Sequence, residues 1–174
     1  MYRRRRNRCM GGIDDILDAN KAYADNFEHE RLVGRAAKGL AILTCMDCRI
    51  DPLALGGLAL GDVKVIRNAG AQLDETSMHD LVLASHLLDV NRILILPHTR
   101  CAMASATETQ MRDIIKMSSS IDVSELKIRT IDNQEDALVD AVRKLRSNPH
   151  LKEGCSVHGG IYDVDSGRIK IIET

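Results

Sequence analysis

The sequence predicts an α/β fold: a central, mostly parallel β-sheet with an antiparallel edge strand, flanked by helices on both faces. Three observations carry this expectation. Short apolar runs recur along the chain, LAILT (40–44), VKVI (63–66) and RILILP (92–97). Longer stretches with helical apolar spacing lie around them. The chain then closes on two strand-like runs joined by a DSG turn at 165–167. Strands alternating with helices form βαβ units, whose crossovers make neighbouring strands parallel.

Each element has its own signal. Ile13, Ile16, Leu17, Ala24 and Phe27 recur at near-helical spacing and predict an amphipathic helix over 13–27. LAILT is apolar throughout, as suits a strand buried on both faces. Asp51 and Pro52 offer an N-cap and a first helical position, and Gly56-Gly57 then breaks the turn. VKVI is the second strand and RNAG (67–70) a loop. DETSMHDLVLASHLLD (74–89) carries a stripe of Met78, Leu81, Val82, Ser85 and Leu88. RILILP is the third strand, stopped by Pro97. TETQMRDIIKM (107–117) is helical, and a polar connector follows it. Leu138, Ala141, Val142 and Leu145 share one face of the last helix. Asp132 with Glu135 makes its capping-box-like start, and Asn148-Pro149 ends it. CSVHGGIYDV and RIKIIE read as a terminal hairpin.

A chain of 174 residues is expected to form one domain over 13–174, preceded by an arginine-rich tail over 1–12. Such a length buries roughly two-thirds of its unfolded surface, so folding needs no disulfides. The net charge of −1 conceals five arginines between residues 3 and 8. Taking five from 24 leaves 19 basic residues against 25 acidic ones, a balance of −6. That balance gives the body no nucleic-acid footprint. No apolar run approaches the ~20 residues of a membrane span. No apolar stretch follows the arginines, which argues against an export signal and for a cytoplasmic protein. Cys9, Cys45, Cys48, Cys101 and Cys155 form an odd, scattered set, which suits thiols or metal ligands better than a disulfide framework.

The chemistry concentrates at two strand ends. Cys45 follows the first strand, and His98 follows the third, with Cys101 three residues on. Ligand sites in open α/β sheets lie beyond the carboxyl ends of strands, where the chain's progression reverses. If the first and third strands are neighbours, Cys45 meets His98 and Cys101 there. Thiolates and imidazole are the donors zinc prefers. Asp47 and Arg49 stand two and four residues beyond Cys45.

The segments CMDCR (45–49), VIRNAG (65–70), PHTRC (97–101) and GGIYDVDSGRI (159–169) resemble, in order and spacing, the β-class carbonic anhydrase family. The resemblance runs from about residue 13 to 172. It implies Zn2+ held by Cys45, His98 and Cys101, with an Asp47–Arg49 pair as the catalytic residues beside the fourth position. It implies a dimer as the smallest functional unit, hence a homodimer or higher homo-oligomer. It also implies the reversible hydration of CO2 to bicarbonate, with zinc-bound hydroxide as nucleophile. Asn68, Gly70, Leu73 and Ala102 are candidates for the substrate pocket. Tyr23, Phe27, Met78 and Leu81 are candidates for its apolar wall at the dimer interface.

The residues suit that chemistry. A catalytic zinc keeps three protein ligands and one open position. Two thiolates and a neutral imidazole cancel the metal's charge, so its water is acidified less than in a three-histidine site. Activity is therefore expected to rise with pH above neutrality. Asp47 can orient the nucleophile or fall onto the metal, and a bidentate Arg49 can hold it off.

Three rival readings remain open. The same site could hydrolyse carbonyl sulfide or carbon disulfide. Cys48 could complete a closed four-ligand zinc site in a catalytically inactive domain. Cys45 and Cys48 could instead form a redox pair. Three positions depart from the family pattern: Cys48 stands where a small polar residue, often serine, is usual, and is read as a serine-sized replacement facing away from the metal; Ala102 stands where glycine is general, and Arg100 where a small or acidic residue is usual.

Overall fold

The computed structural model describes residues 12–119 and 121–173. Of the arginine-rich tail expected over 1–12, residues 1–11 lie outside the described residues. The described residues up to Val33 and those from Gly34 onward form two compact units. In the first, helix α1 (Asp14–Asp25) occupies the predicted amphipathic stretch, and none of its residues is buried.

The second unit is built on five strands: β1 (Leu40–Cys45), β2 (Val63–Asn68), β3 (Arg92–Leu96), β4 (Ser156–Tyr162) and β5 (Ile169–Ile172). Their order across the sheet is β2-β1-β3-β4-β5. β1 pairs in parallel with both β2 and β3, β3 pairs in parallel with β4, and β5 returns antiparallel at the edge. The fold class is thus as the sequence predicts. From β1 the chain steps outward to β2, then crosses back to place β3 on the other side of β1. The carboxyl ends of β1 and β3 therefore flank the point where chain progression reverses.

Pleating sorts the side chains of these strands. Ala41 and Leu43 of β1 and Ile93 and Ile95 of β3 enter the main core. Helix α2 (Glu75–Leu87) adds Leu81 and Ala84, and helix α4 (Gln134–Arg146) adds Leu138, Val142 and Leu145. Gly159 of β4 lets α4 come close. A Cβ there would sit 3.0 Å from Val142 and 3.1 Å from Leu138. A smaller cluster of Cys45, Ile50 and Cys101, edged by Leu55, Met103 and Tyr162, packs at the strand ends. Helix α3 (Glu108–Ser119) buries none of its residues.

Several expectations change in detail. Arg67 and Asn68 belong to β2, because parallel pairing with β1 continues to Cys45↔Asn68. The RNAG loop therefore begins only at Ala69. The N-cap of α4 is Asn133, whose side chain accepts from the N–H groups of Glu135 and Asp136, not Asp132. Asp51 does cap its turn, accepting from Leu53 and Ala54, but the turn is a single 3-10 turn over Ala54–Gly56. Leu81 lies wholly inside the core of its own chain, which removes it from any wall at a subunit interface.

Candidate metal centre

Cys45 is the last residue of β1, and Pro97 ends β3 one step before His98. Because β1 and β3 run side by side in register, Thr44 faces Leu96, and the two chain ends leave the sheet together. Thr44 Oγ1 donates to Leu96 O at 2.7 Å and ties the strands just below the site. His98 bridges to Tyr162, which prolongs the β3–β4 pairing past the strand end. The loop after His98 then turns back, so that Cys101 lies within reach.

The result is one cluster of three buried donors. The ligand atoms of Cys45, His98 and Cys101 all lie within 4.8 Å of one another. The two sulfurs are 4.0 Å apart. Two thiolates about 2.3 Å from one tetrahedral zinc would stand about 3.8 Å apart, so the spacing fits.

His98 supplies a second test of fit. Its Nδ1 lies 2.9 Å from Thr99 O, which can only accept, so Nδ1 carries the proton. Nε2 then presents a lone pair, yet it is buried and has no hydrogen-bond partner. Burial also lowers the imidazole's pKa, keeping the ring neutral. A buried acceptor without a partner is costly, and a metal ion answers it. Burial pushes the Cys101 thiol up, partly offset by the N–H groups of Met103 and Ala104. A divalent ion reverses that tendency by favouring the thiolate.

Asp47 and Arg49 sit beside the cluster rather than in it. Arg49 grips the carboxylate with both prongs of its fork, Nε to Oδ1 at 2.9 Å and Nη2 to Oδ2 at 2.7 Å. Its backbone N–H adds a third bond to Oδ1. These contacts hold the Asp47 carboxyl well below the usual carboxylate range. Asp47 Oδ2 lies 3.7 Å from His98 Nε2. Cys48 is exposed and stands outside the three-donor group.

The remaining candidates fall in different places. Gly70 donates its N–H to Cys45 Sγ at 3.4 Å and takes the left-handed φ of 84°. A Cβ on it would also press on Ile131, Gln72 and Met103. Gly70 and Leu73 together line a cavity of about 550 Å³ with Ile95, Pro97 and Ile131. Asn68 spends both ends of its amide on the backbone of Gln72. Ala102 is exposed on a 3-10 turn after Cys101. Its φ is not positive, so the backbone there does not call for glycine; the left-handed residue of this loop is Arg100, at φ 55°.

Two contributors escape sequence reasoning. Arg67 donates to the carbonyls of Cys45 (2.9 Å) and Asp47 (2.6 Å), fixing the backbone across Met46. Gln134, at the start of α4, donates to His98 O at 3.0 Å. The arginine inside VIRNAG was a visible signal, but its target was not.

Fold and site together define a zinc enzyme of the doubly wound α/β class, with a Cys/His/Cys centre at the switch point. The comparisons narrow this further. The family model described as carbonic anhydrase matches residues 40–169, so the chain belongs to that family, in its β class. Beta-carbonic anhydrase 1 of Mycobacterium tuberculosis is 30% identical over 166 residues, 92% of this chain and 97% of that protein. The solved carbonic anhydrase of Streptococcus mutans superposes with a TM-score of 0.82 at 29% identity, covering 92% of this chain and 97% of the other. A carbon disulfide hydrolase of Acidithiobacillus thiooxidans is 24% identical over 181 residues, 88% of this chain and 90% of that protein.

Proposed function

We infer that this protein is a zinc-dependent carbonic anhydrase, interconverting CO2 and bicarbonate. The observation that carries the reading is the partnerless, buried Nε2 of His98 facing two buried thiols, with an arginine-clamped carboxylate alongside. Zinc bound there would supply Lewis-acid chemistry, lowering the pKa of a water toward ~7 so that it attacks CO2 at neutral pH.

The chain's own residues do the rest. Cys45, His98 and Cys101 hold the ion, and Thr99 O fixes the imidazole so that Nε2 faces it. Asp47 accepts a hydrogen bond from the attacking water and orients it. Arg49 keeps that carboxylate ionised and turned from the metal. Gly70 donates its N–H to Cys45 Sγ and so fixes the loop against that sulfur. Leu73, Ile95 and Pro97 give the neighbouring cavity an apolar side suited to CO2. Asn68 holds the loop that carries Gly70, and Ala102 borders the cluster after Cys101.

Zinc analysis with a stopped-flow CO2 hydration assay tests the reading. One zinc per chain with turnover supports it, and zinc without turnover overturns it. With Asp47 held ionised, the rise of activity above neutrality belongs to the zinc-site water. A rate profile flat down to pH 6 would contradict the Cys/His/Cys ligand set.

The similarity to a carbon disulfide hydrolase favours a second reading of the same site, in which carbon disulfide or carbonyl sulfide is attacked. Release of sulfide from carbon disulfide faster than hydration of CO2 would reverse the order of preference. Cys45, Cys48, Cys101 and Cys155 are all free thiols, which suits a reducing, cytoplasmic setting. The exposed apolar residues of α1, Ile16, Leu17 and Tyr23 among them, suit assembly into a homodimer or larger homo-oligomer.

A further inference from the structure

The loop that carries His98 and Cys101 is held from outside by an acidic turn. Residues 163–168 join β4 to β5. Asp163 Oδ1 accepts from Thr99 Oγ1 at 3.0 Å, and Val164 N–H donates to the same hydroxyl at 3.2 Å. One residue further, Arg100 forms an ion pair with Asp165. Sixty-five residues separate these two in the chain.

Arg100 holds a backbone conformation that costs a non-glycine residue, at φ 55°. In that conformation its carbonyl faces Arg49, whose Nη2 donates to it at 3.4 Å. The same nitrogen donates to Asp47 Oδ2 at 2.7 Å. Asp165 also lies close enough to act on Arg49 electrostatically, with the same sign as Asp47. Arg49 therefore has two acidic neighbours, and Arg100 occupies one of them.

We propose that Arg100 is a positioning residue for Arg49: by engaging Asp165 and presenting its own carbonyl, it leaves the Arg49 fork committed to Asp47. The proposal rests on the carbonic anhydrase reading of the site. It also gives Arg100 a role other than attracting bicarbonate, since its guanidinium is already paired. A folding role alone does not explain the pair. Both side chains are more than half exposed, at 60% and 62%, and such pairs contribute little to stability.

The test uses the zinc-loaded protein and two readouts, CO2 hydration and the Nε–H resonance of Arg49 in 15N spectra, assigned with Arg49→Lys. Arg100→Ala should broaden or shift that resonance and lower kcat on the order of tenfold, short of the hundredfold that ~1 Å of misplacement can cost. Zinc should stay at one per chain. Arg100→Lys keeps the charge and should preserve the resonance. The double variant Arg100→Ala/Asp165→Asn removes the competing carboxylate and should recover both readouts. An Arg49 resonance unmoved in Arg100→Ala overturns the proposal, as does a double variant no better than the single one. Absence of CO2 turnover in the unsubstituted protein would instead sink the carbonic anhydrase reading, while the Arg49 resonance still decides the role of Arg100.

Discussion

Asp47 sits between the Arg49 fork, at 2.7 and 2.9 Å, and the three-donor cluster, whose His98 Nε2 is 3.7 Å away. Lysine at 49 would keep the charge and lose the fork. Arg49→Lys should therefore cut kcat/KM at least about tenfold while stability changes by no more than ~1 kcal/mol, because lysine still sets a positive charge beside the half-buried carboxylate. Kinetics alongside urea titration check both halves, and full activity in the variant would refute the clamp. Cys48 is exposed and outside the donor cluster. Cys48→Ser should keep one zinc per chain and unchanged turnover, and loss of metal would revive the closed four-ligand site. His98 carries a pH signature. Its folded pKa lies below 6.5 because it is buried, so the unfolded chain binds the extra proton first as pH falls. In the metal-free protein this stability is complete above pH 6.5 and is lost progressively below it. Its urea midpoint should drop between pH 7 and pH 5.5, less so in His98→Gln. An equal slope in the two proteins would disprove the assignment. Asp47, held low chiefly by Arg49, works in another window: its contribution is present above about pH 4 and lost below.

The elements place these residues only because β1 lies between β2 and β3. Cys45, the 69–72 loop and His98 then emerge at one end of the sheet. Helix α4 supports the arrangement from below, packing on β4 through Leu138 and Val142 and reaching His98 O through Gln134. Gly159→Ala would put a methyl against Val142 and Leu138 at about 3 Å and should cost about 1–3 kcal/mol by overpacking. Leu145, fully buried on the same helix, should cost about 2–5 kcal/mol when truncated to alanine. Urea denaturation of the zinc-loaded variants measures both. An unchanged midpoint in Gly159→Ala would mean that α4 stands farther from β4 than the structure shows.

At the scale of the whole molecule, the metal links folding to function. Three buried donors that converge only in the folded chain make zinc affinity part of its stability. A free zinc concentration a thousandfold above Kd adds about 4 kcal/mol. Chelation should therefore abolish CO2 hydration and lower Tm together, with both restored by added zinc. Activity that survives complete chelation would remove the metal from the mechanism. Among the described residues, no helix is long and apolar enough to cross a membrane. The exposed apolar residues of α1 lead us to expect a dimer or larger species in sedimentation equilibrium, and a monomer at all concentrations would count against assembly.

Much of this was legible in the sequence, because the relevant signals are local. Apolar runs and helical spacing depend on neighbours a few residues apart, and among the described residues they located the five strands and four α-helices, though not the 3-10 turn Ala102–Ala104. Cys45, Asp47 and Arg49 lie within five residues, and His98 and Cys101 within four, so the chemistry of each half was visible in its own segment. Tertiary structure alone decided that β1 and β3 are adjacent and that the two halves share a cluster. It also decided that Arg67 reaches back to the Cys45 carbonyl, that Leu81 is spent in the core, and that Arg100 meets Asp165. Those partners lie tens of residues apart, and no short-range pattern records them. Their distances follow from the order of strands in the sheet, which is set by the packing of the whole chain.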